Sequence, residues 1–280
     1  MNSLKVVIAD DNEKMVDVIK EVINDEPDME VVGTAANGEE TINIIKNTSP
    51  DVVLLDIIMP QLDGISVMQR IRDDKTCVSP AFIVISAVGM EDVTEDALEE
   101  FAQKVITEYG HVDYLINNAL PLMKGIDNCS YEEFNYALKV GVTAPFYLTK
   151  LFQPYFSEGA VIVNISSSRD RMSQPQTESY TAAKGGISAL THALAVSLAG
   201  RVRVNSISPG WIDTDFTEYT GADAVQQPVH RVGNPMDIAN MVLFLCSEKA
   251  GFITGENICI DGGMTKQMIY HGDCGWRLDI

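Results

Sequence analysis

Two sets of residues in this chain have the types and spacing to do chemistry. Asp10 and Asp11 follow the apolar run Lys5–Ala9, and Asp56 follows Val52–Leu55, so three carboxylates stand at the ends of two predicted β-strands. In a parallel sheet the carboxyl ends of the strands share one edge, where binding sites form. Three carboxylates converging there repel one another unless a divalent cation neutralises them. Mg²⁺, which prefers oxygen ligands, suits that role; the alternative is three solvated loop acids. The second set lies in Ser-Tyr-Thr-Ala-Ala-Lys, where Tyr180 and Lys184 are four residues apart and therefore on one face of a helix. A phenol starts near pKa 10, so acid–base work near neutrality requires a drop of about three units, roughly 4 kcal/mol. A nearby ammonium supplies part of that by favouring the phenolate. Ser166, Ser167 and Ser168 end another apolar run and offer a hydroxyl to hold a substrate oxygen. On spacing alone, the Tyr/Lys pair is equally what an ordinary helix surface presents.

The elements that must position these groups alternate. Strands are predicted at Lys5–Ala9, Met29–Ala35, Val52–Leu55, Phe82–Ile85, Tyr114–Ile116, Val161–Ile165, Val202–Ile207 and Ile258–Ile260. Between them, Glu13–Ile23 carries apolar residues on one helical face, Asn37-Gly38 opens a helix to about Asn47, and Gly64–Ile71 forms another. Thr94 with Glu95 and Asp96 reads as the capped start of a helix to Tyr109, and a long helix runs from about Ser179 to Leu198. Apolar strands alternating with helices predict a doubly wound, mostly parallel sheet in three α/β/α layers.

Composition narrows the class. The 280 residues are 46% hydrophobic and 21% charged, as in a globular protein with a sizeable core rather than a disordered or coiled-coil chain. No apolar run reaches the roughly 18 residues of a membrane span, and two acids interrupt the start before any signal-peptide core. Five scattered cysteines without CxxC spacing fit a reducing compartment, so a cytoplasmic protein is expected. A net charge of −20 argues against nucleic acid as a partner. The first 95 residues are the more acidic per residue, with 19 acids and 7 bases, and no Gly/Ser linker divides the chain.

The motifs carry two resemblances. Val-Ile-Ala-Asp-Asp-Asn, Leu-Leu-Asp-Ile-Ile-Met-Pro-Gln-Leu-Asp-Gly and Ile-Val-Ile-Ser-Ala resemble a bacterial response-regulator receiver domain over about residues 1–95. That resemblance implies a flavodoxin-like fold, Mg²⁺ held by Asp10 and Asp11, Asp56 as phosphoacceptor, Ser86 as the switch hydroxyl and a kinase as phosphodonor. The receiver's closing Lys-Pro strand end and last helix have no counterpart here.

Val-Asp-Tyr-Leu-Ile-Asn-Asn-Ala, Val-Ile-Val-Asn-Ile-Ser-Ser, Tyr-Thr-Ala-Ala-Lys-Gly-Gly, Ser-Pro-Gly-Trp-Ile-Asp-Thr and Cys-Ile-Asp-Gly-Gly are similar to the short-chain dehydrogenase/reductase family, from near Asp92 to about Thr265. This second resemblance implies a Rossmann-like fold and hydride exchange between NAD or NADP and a small carbonyl or alcohol. Ser167 matches the catalytic serine, Tyr180 the proton donor, and Lys184 the residue that lowers the tyrosine pKa and binds the nicotinamide ribose. Asn117, Ile212 and Thr214 match positions lining the cofactor. Leu120 replaces a family glycine, Gly141 stands where the family has a catalytic asparagine, and the Thr-Gly-x-x-x-Gly-x-Gly phosphate turn occurs nowhere.

Asp10, Asp11 and Asn12 occupy the first strand–helix turn instead, placing side chains and negative charge where a pyrophosphate needs glycine and a bare helix N-terminus. The expectation is therefore a receiver-like segment 1–93 joined to a dehydrogenase-like segment 94–280 in one continuous sheet of about eight strands, with Phe82–Ile85 beside Tyr114–Ile116. Three readings follow: an oxidoreductase with impaired cofactor binding, a Mg²⁺-dependent phosphoacceptor module, or a folded hybrid with neither activity. A homo-oligomer is compatible with each, the apolar helix Pro235–Cys246 serving as core or as an oligomer face. Trp211 is expected to pack at the pocket, and His271 to be a solvated tail residue.

Overall fold

Period-two alternation along the strands gives each sheet two apolar faces, and helices cover both. The computed structural model of the chain describes residues 3–56, 59–74, 79–85, 93–215 and 217–277; Ser86 lies outside the described residues. The chain forms two compact units, Met1–Gly89 and Met90–Ile280.

The first unit runs β1 (Leu4–Ala9), α1 (Glu13–Asn24), β2 (Met29–Ala35), α2 (Gly38–Thr48), β3 (Val52–Asp56), α3 (Gly64–Asp73) and β4 (Ala81–Ile85). All strand pairs are parallel, in the order β2-β1-β3-β4. Val7 and Ala9 face Ile42, Ile45, Val67 and Ile71 of α2 and α3, whereas Val6 and Ile8 face Ile23, Val16 and Ile19 of α1. Each helix starts on a side-chain cap: Asn12 accepts from the Met15 N–H, Asn37 from Glu40 and Asp63 from Ser66.

The second unit runs α4 (Glu95–Tyr109), β5 (Val112–Asn117), α5 (Tyr131–Leu138), α6 (Ala144–Phe152), β6 (Phe156–Ile165), α7 (Glu178–Ser197), β7 (Val202–Pro209), α8 (Gly221–Val225), α9 (Pro235–Cys246) and β8 (Asn257–Ile260). Its parallel order is β5-β6-β7-β8. Ile162 and Val204 pack with Ala102, Phe152 and Leu194 on one face, and Val161, Val163 and Ile207 pack with Leu245 on the other. In α9, Leu245 is buried while Leu243 is exposed, so this helix is core on one face only. Between α5 and α6 the chain widens into a π-helical turn, Lys139–Thr143. Gly141 lies within it against α7: a Cβ there would meet the Ala183 Cβ at 2.7 Å.

Among the described residues the strands pair as two sets of four. Each set closes an apolar cluster on both of its faces with helices from its own segment of the chain.

Candidate active site

In the second unit, register sets the stage. Asn117 pairs with Asn164 and Ile165 with Ile207, so β5 and β6 end together while β7 runs on beside β8 to Pro209. The Ser166 N–H donates to the Ile207 carbonyl at 2.7 Å, carrying the chain past the end of β6. There Ser167, in extended backbone, caps a short 3₁₀ turn, Ser168–Asp170, its hydroxyl accepting from the Arg169 N–H at 3.2 Å. Tyr180 and Lys184 sit on the first two turns of α7, as the spacing predicted.

The structure brings these three residues together. The Ser167 hydroxyl lies near enough to the Tyr180 phenol to lower its pKa. Lys184 is 3% exposed; its Nζ donates to the Ile165 carbonyl at 2.6 Å and lies 5.6 Å from the centroid of the Tyr180 ring. The helix is held by its own polar network: Ser166 Oγ donates to the Lys184 carbonyl at 2.8 Å and contacts Ser188 Oγ at 2.8 Å. Asp170 accepts from Ser188 at 2.9 Å, Ser208 at 3.1 Å and Asn257, tying the 3₁₀ turn to α7, β7 and β8. In the first turn of α7, the Ser179 hydroxyl donates to the Leu122 carbonyl and accepts from the Lys124 N–H, latching the loop after β5 beside Tyr180.

Electrostatics at the site differ from the sequence-based expectation. Burial pushes the Tyr180 phenol above its ordinary value, and the Ser167 hydroxyl and the Arg169 charge pull it back only in part. Burial also brings Lys184 down to about 8. The lysine donates to a backbone carbonyl while lying over the Tyr180 ring, and the Arg169 charge also favours the phenolate. Spacing could not reveal that residue's role, because Arg169 stands outside the Tyr/Lys helix.

Of the positions matched to the cofactor, Asn117 donates to Asn164 Oδ1 at 2.7 Å, and Asn164 donates to Thr191 at 2.9 Å, a chain of amides across the strand ends. Ile212 bridges to Gly233 and Thr214 is exposed in the segment after β7. Among the described residues neither hydrogen-bonds to Ser167, Tyr180 or Lys184. Beside them lies a cavity of about 430 Å³ lined by residues including Asp213, Tyr219, His230 and Arg231, which no periodicity signals. Trp211 packs edge-on against Tyr219 at 4.9 Å, in line with a packing role. His271 is exposed and packs edge-on against Trp276.

In the first unit, Ala9 pairs with Leu55, so Asp10 and Asp56 emerge side by side. Carboxylate oxygens of Asp10, Asp11 and Asp56 all lie within 4.8 Å of one another, with Asp10 and Asp56 buried and Asp11 exposed. An all-carboxylate set at this spacing fits a hard divalent cation such as Mg²⁺. The same turn does not fit a dinucleotide pyrophosphate. The Asn12 N–H is taken by Asp10 Oδ1 at 2.8 Å, the Asn12 side chain caps α1, and two carboxylates occupy the approach.

A family model described as enoyl-(acyl carrier protein) reductase matches residues 84–265, and one described as response regulator receiver domain matches residues 6–120. An uncharacterized oxidoreductase of Thermotoga maritima is 42% identical over 200 residues, 66% of this chain and 78% of that protein. A 3-oxoacyl-(acyl-carrier-protein) reductase of the same organism is 33% identical over 178 residues, 60% of this chain and 72% of that one. Among solved structures, an apo SCOR enzyme from Clostridium thermocellum aligns over 100% of both chains with a TM-score of 0.66 and 34% identity. With a reductase model spanning most of its length and a receiver model matching its acidic start, the chain belongs to the short-chain dehydrogenase/reductase family of oxidoreductases and is chimera-like in architecture.

Proposed function

We propose that the second unit exchanges hydride between NAD(P)(H) and a small carbonyl or alcohol substrate, with cofactor binding weaker than in a complete family member. The observation carrying this reading is buried Lys184, its Nζ 5.6 Å from the Tyr180 ring centroid, with Ser167 at the turn after β6. Bound NAD(P)H would supply the hydride. In the reductive direction Ser167 holds the substrate oxygen and Tyr180 donates its phenolic proton to it; in the oxidative direction Tyr180 accepts that proton. Lys184 would bind the nicotinamide ribose, and Asn117, Ile212 and Thr214 would line the cofactor. Impairment follows from the absence of the Thr-Gly-x-x-x-Gly-x-Gly phosphate turn from the sequence. Losing such a cradle moves a micromolar site towards millimolar. Fluorescence titration with NADH and NADPH tests the reading together with turnover of a ketone and aldehyde panel. Weak, saturable binding and turnover that vanishes in Tyr180→Phe are expected; turnover unchanged in Tyr180→Phe overturns it.

A second reading is favoured by the carboxylates within 4.8 Å: Mg²⁺ held by Asp10, Asp11 and Asp56, and phosphorylation of Asp56 by a phosphodonor kinase. Acetyl phosphate or beryllofluoride with Mg²⁺ should give an adduct at Asp56. Intact mass without an adduct, under conditions that label a complete receiver, overturns it.

A further inference from the structure

Among the described residues most arginines are committed. Arg70 meets Glu39, Arg72 meets Asp73, Arg171 meets Asp170 and Arg231 meets Asp237. Arg201 and Arg203 donate to backbone carbonyls. Arg169 is different. Two residues beyond Ser167, its guanidinium is held by neutral acceptors: the Met123 thioether at 3.3 Å and the Gln174 amide oxygen. No carboxylate pairs with it among the described residues. These two contacts use two of the five guanidinium N–H donors, leaving three.

The position matters as much as the pairing. Met123 lies on the loop after β5 that Ser179 latches beside Tyr180, and Gln174 lies on the segment between Ser167 and Tyr180. The guanidinium is thus strung between the two chain segments flanking the Ser167–Tyr180 pair. Met123 is 52% exposed, so a solute can reach this corner. The other cations nearby are engaged: Lys184 is buried on the Ile165 carbonyl, and Lys124 is paired with Glu133 at 2.5 Å. In a chain of net charge −20, the general field repels anions, and an uncompensated guanidinium is the feature that reverses it locally.

We infer that the substrate of this site carries an oxyanion, a carboxylate or a phosphate, a few bonds from its carbonyl or alcohol carbon, and that Arg169 binds it. A planar guanidinium offers parallel donors matched to either group. The reacting carbon then sits at Tyr180 and Ser167 while the anion reaches across to Arg169. The same charge acts on the phenol, so an anion seated there and the proton-transfer group share one cation. This inference rests on the oxidoreductase reading for the identity of the reacting group but not for the binding itself.

The test uses matched probes and needs no cofactor. Acetoacetate is compared with methyl acetoacetate, and dihydroxyacetone phosphate with dihydroxyacetone, by ligand-observed NMR on the full chain. The wild type should bind the better anion of the two pairs about tenfold more tightly than its neutral partner, as expected for one charge-assisted contact. Which pair shows the larger ratio distinguishes carboxylate from phosphate. Arg169→Gln should erase the ratio and Arg169→Lys should retain part of it. Equal binding of neutral and anionic probes, no anion binding to the wild type, or an unchanged ratio in Arg169→Gln each overturns the inference. Arg169-dependent anion binding without NAD(P)H-linked turnover leaves the inference standing and removes the oxidoreductase reading. Turnover of neutral ketones alone, indifferent to Arg169→Gln, does the reverse.

Discussion

Both units place their reactive groups at the carboxyl ends of parallel strands, yet the two sites are built on opposite electrostatic terms. In the first, Asp10, Asp11 and Asp56 crowd like charges within 4.8 Å, and their mutual repulsion is relieved by a ligand of opposite sign. In the second, Ser166, Asp170, Ser188, Ser208, Asn257 and the Asn117–Asn164–Thr191 chain satisfy one another with hydrogen bonds. Such a network holds the Ser168–Asp170 turn against α7, β7 and β8 before anything binds. The contrast teaches that a strand edge provides only position. Whether the site is ion-dependent or preformed is decided by the side chains that follow the strand.

The comparison predicts separable chemistry, and a reciprocal pair of variants gives the largest effects. Tyr180→Phe should lower turnover by about a thousandfold, in the range of general acid–base catalysis, and leave beryllofluoride binding at Asp56 unchanged. Asp56→Asn should abolish the Mg²⁺-dependent adduct by intact mass and leave Tyr180-dependent turnover untouched. Loss of both properties in either variant would break the division.

The next effect is on stability. Burial lowers Lys184 to about 8 in the folded chain, below its ordinary value, so the unfolded chain binds more protons between the two values. Folding stability should therefore rise with pH between about 8 and 10.5, the charged lysine carrying its full penalty below that window. Lys184→Met should lose turnover yet gain stability at pH 7, on the order of 3 kcal/mol for a shift of that size. Urea titrations at pH 7 and pH 10 check both statements; a less stable variant at pH 7 would refute the sign.

A smaller effect concerns Asp170, whose hydrogen bonds to Arg171, Ser188 and Asn257 outweigh burial and hold its carboxyl below the ordinary aspartate range. Its contribution is present above the ordinary aspartate pKa and is lost as pH falls through the depressed one. Asp170→Asn should flatten the acid limb of a thermal-melt pH series and shift the melting temperature modestly at pH 7. An unchanged acid limb would show that the preformed network does not depend on this charge.

Much of this was legible in the sequence because it is local. Each strand end was marked by a change from apolar residues to acids or serines. The Tyr180–Lys184 spacing set a shared helix face, and Thr94 announced its helix as a cap. What escaped depends on contacts between distant segments. The guanidinium of Arg169 turns towards Met123, 46 positions away, and no pattern of spacing encodes where a long side chain bends. The strand order within each set of four is likewise a matter of non-local pairing, whereas the sequence shows only the strands. Lys184 was read as the charge beside the phenol; its attraction to the Ile165 carbonyl depends on β6 ending above α7.

Gly141 restricts the mutations open to this chain. Any side chain at that position meets Ala183, one residue before Lys184, at 2.7 Å. Asparagine at 141 in the present packing therefore requires Ala183 or the π-helical turn to shift. Ala183→Gly would open that space, at a cost of about 1 kcal/mol in helix propensity on the helix carrying Tyr180. The close approach of the π-helical turn to α7 thus couples positions 141 and 183, so that what either can carry depends on the other.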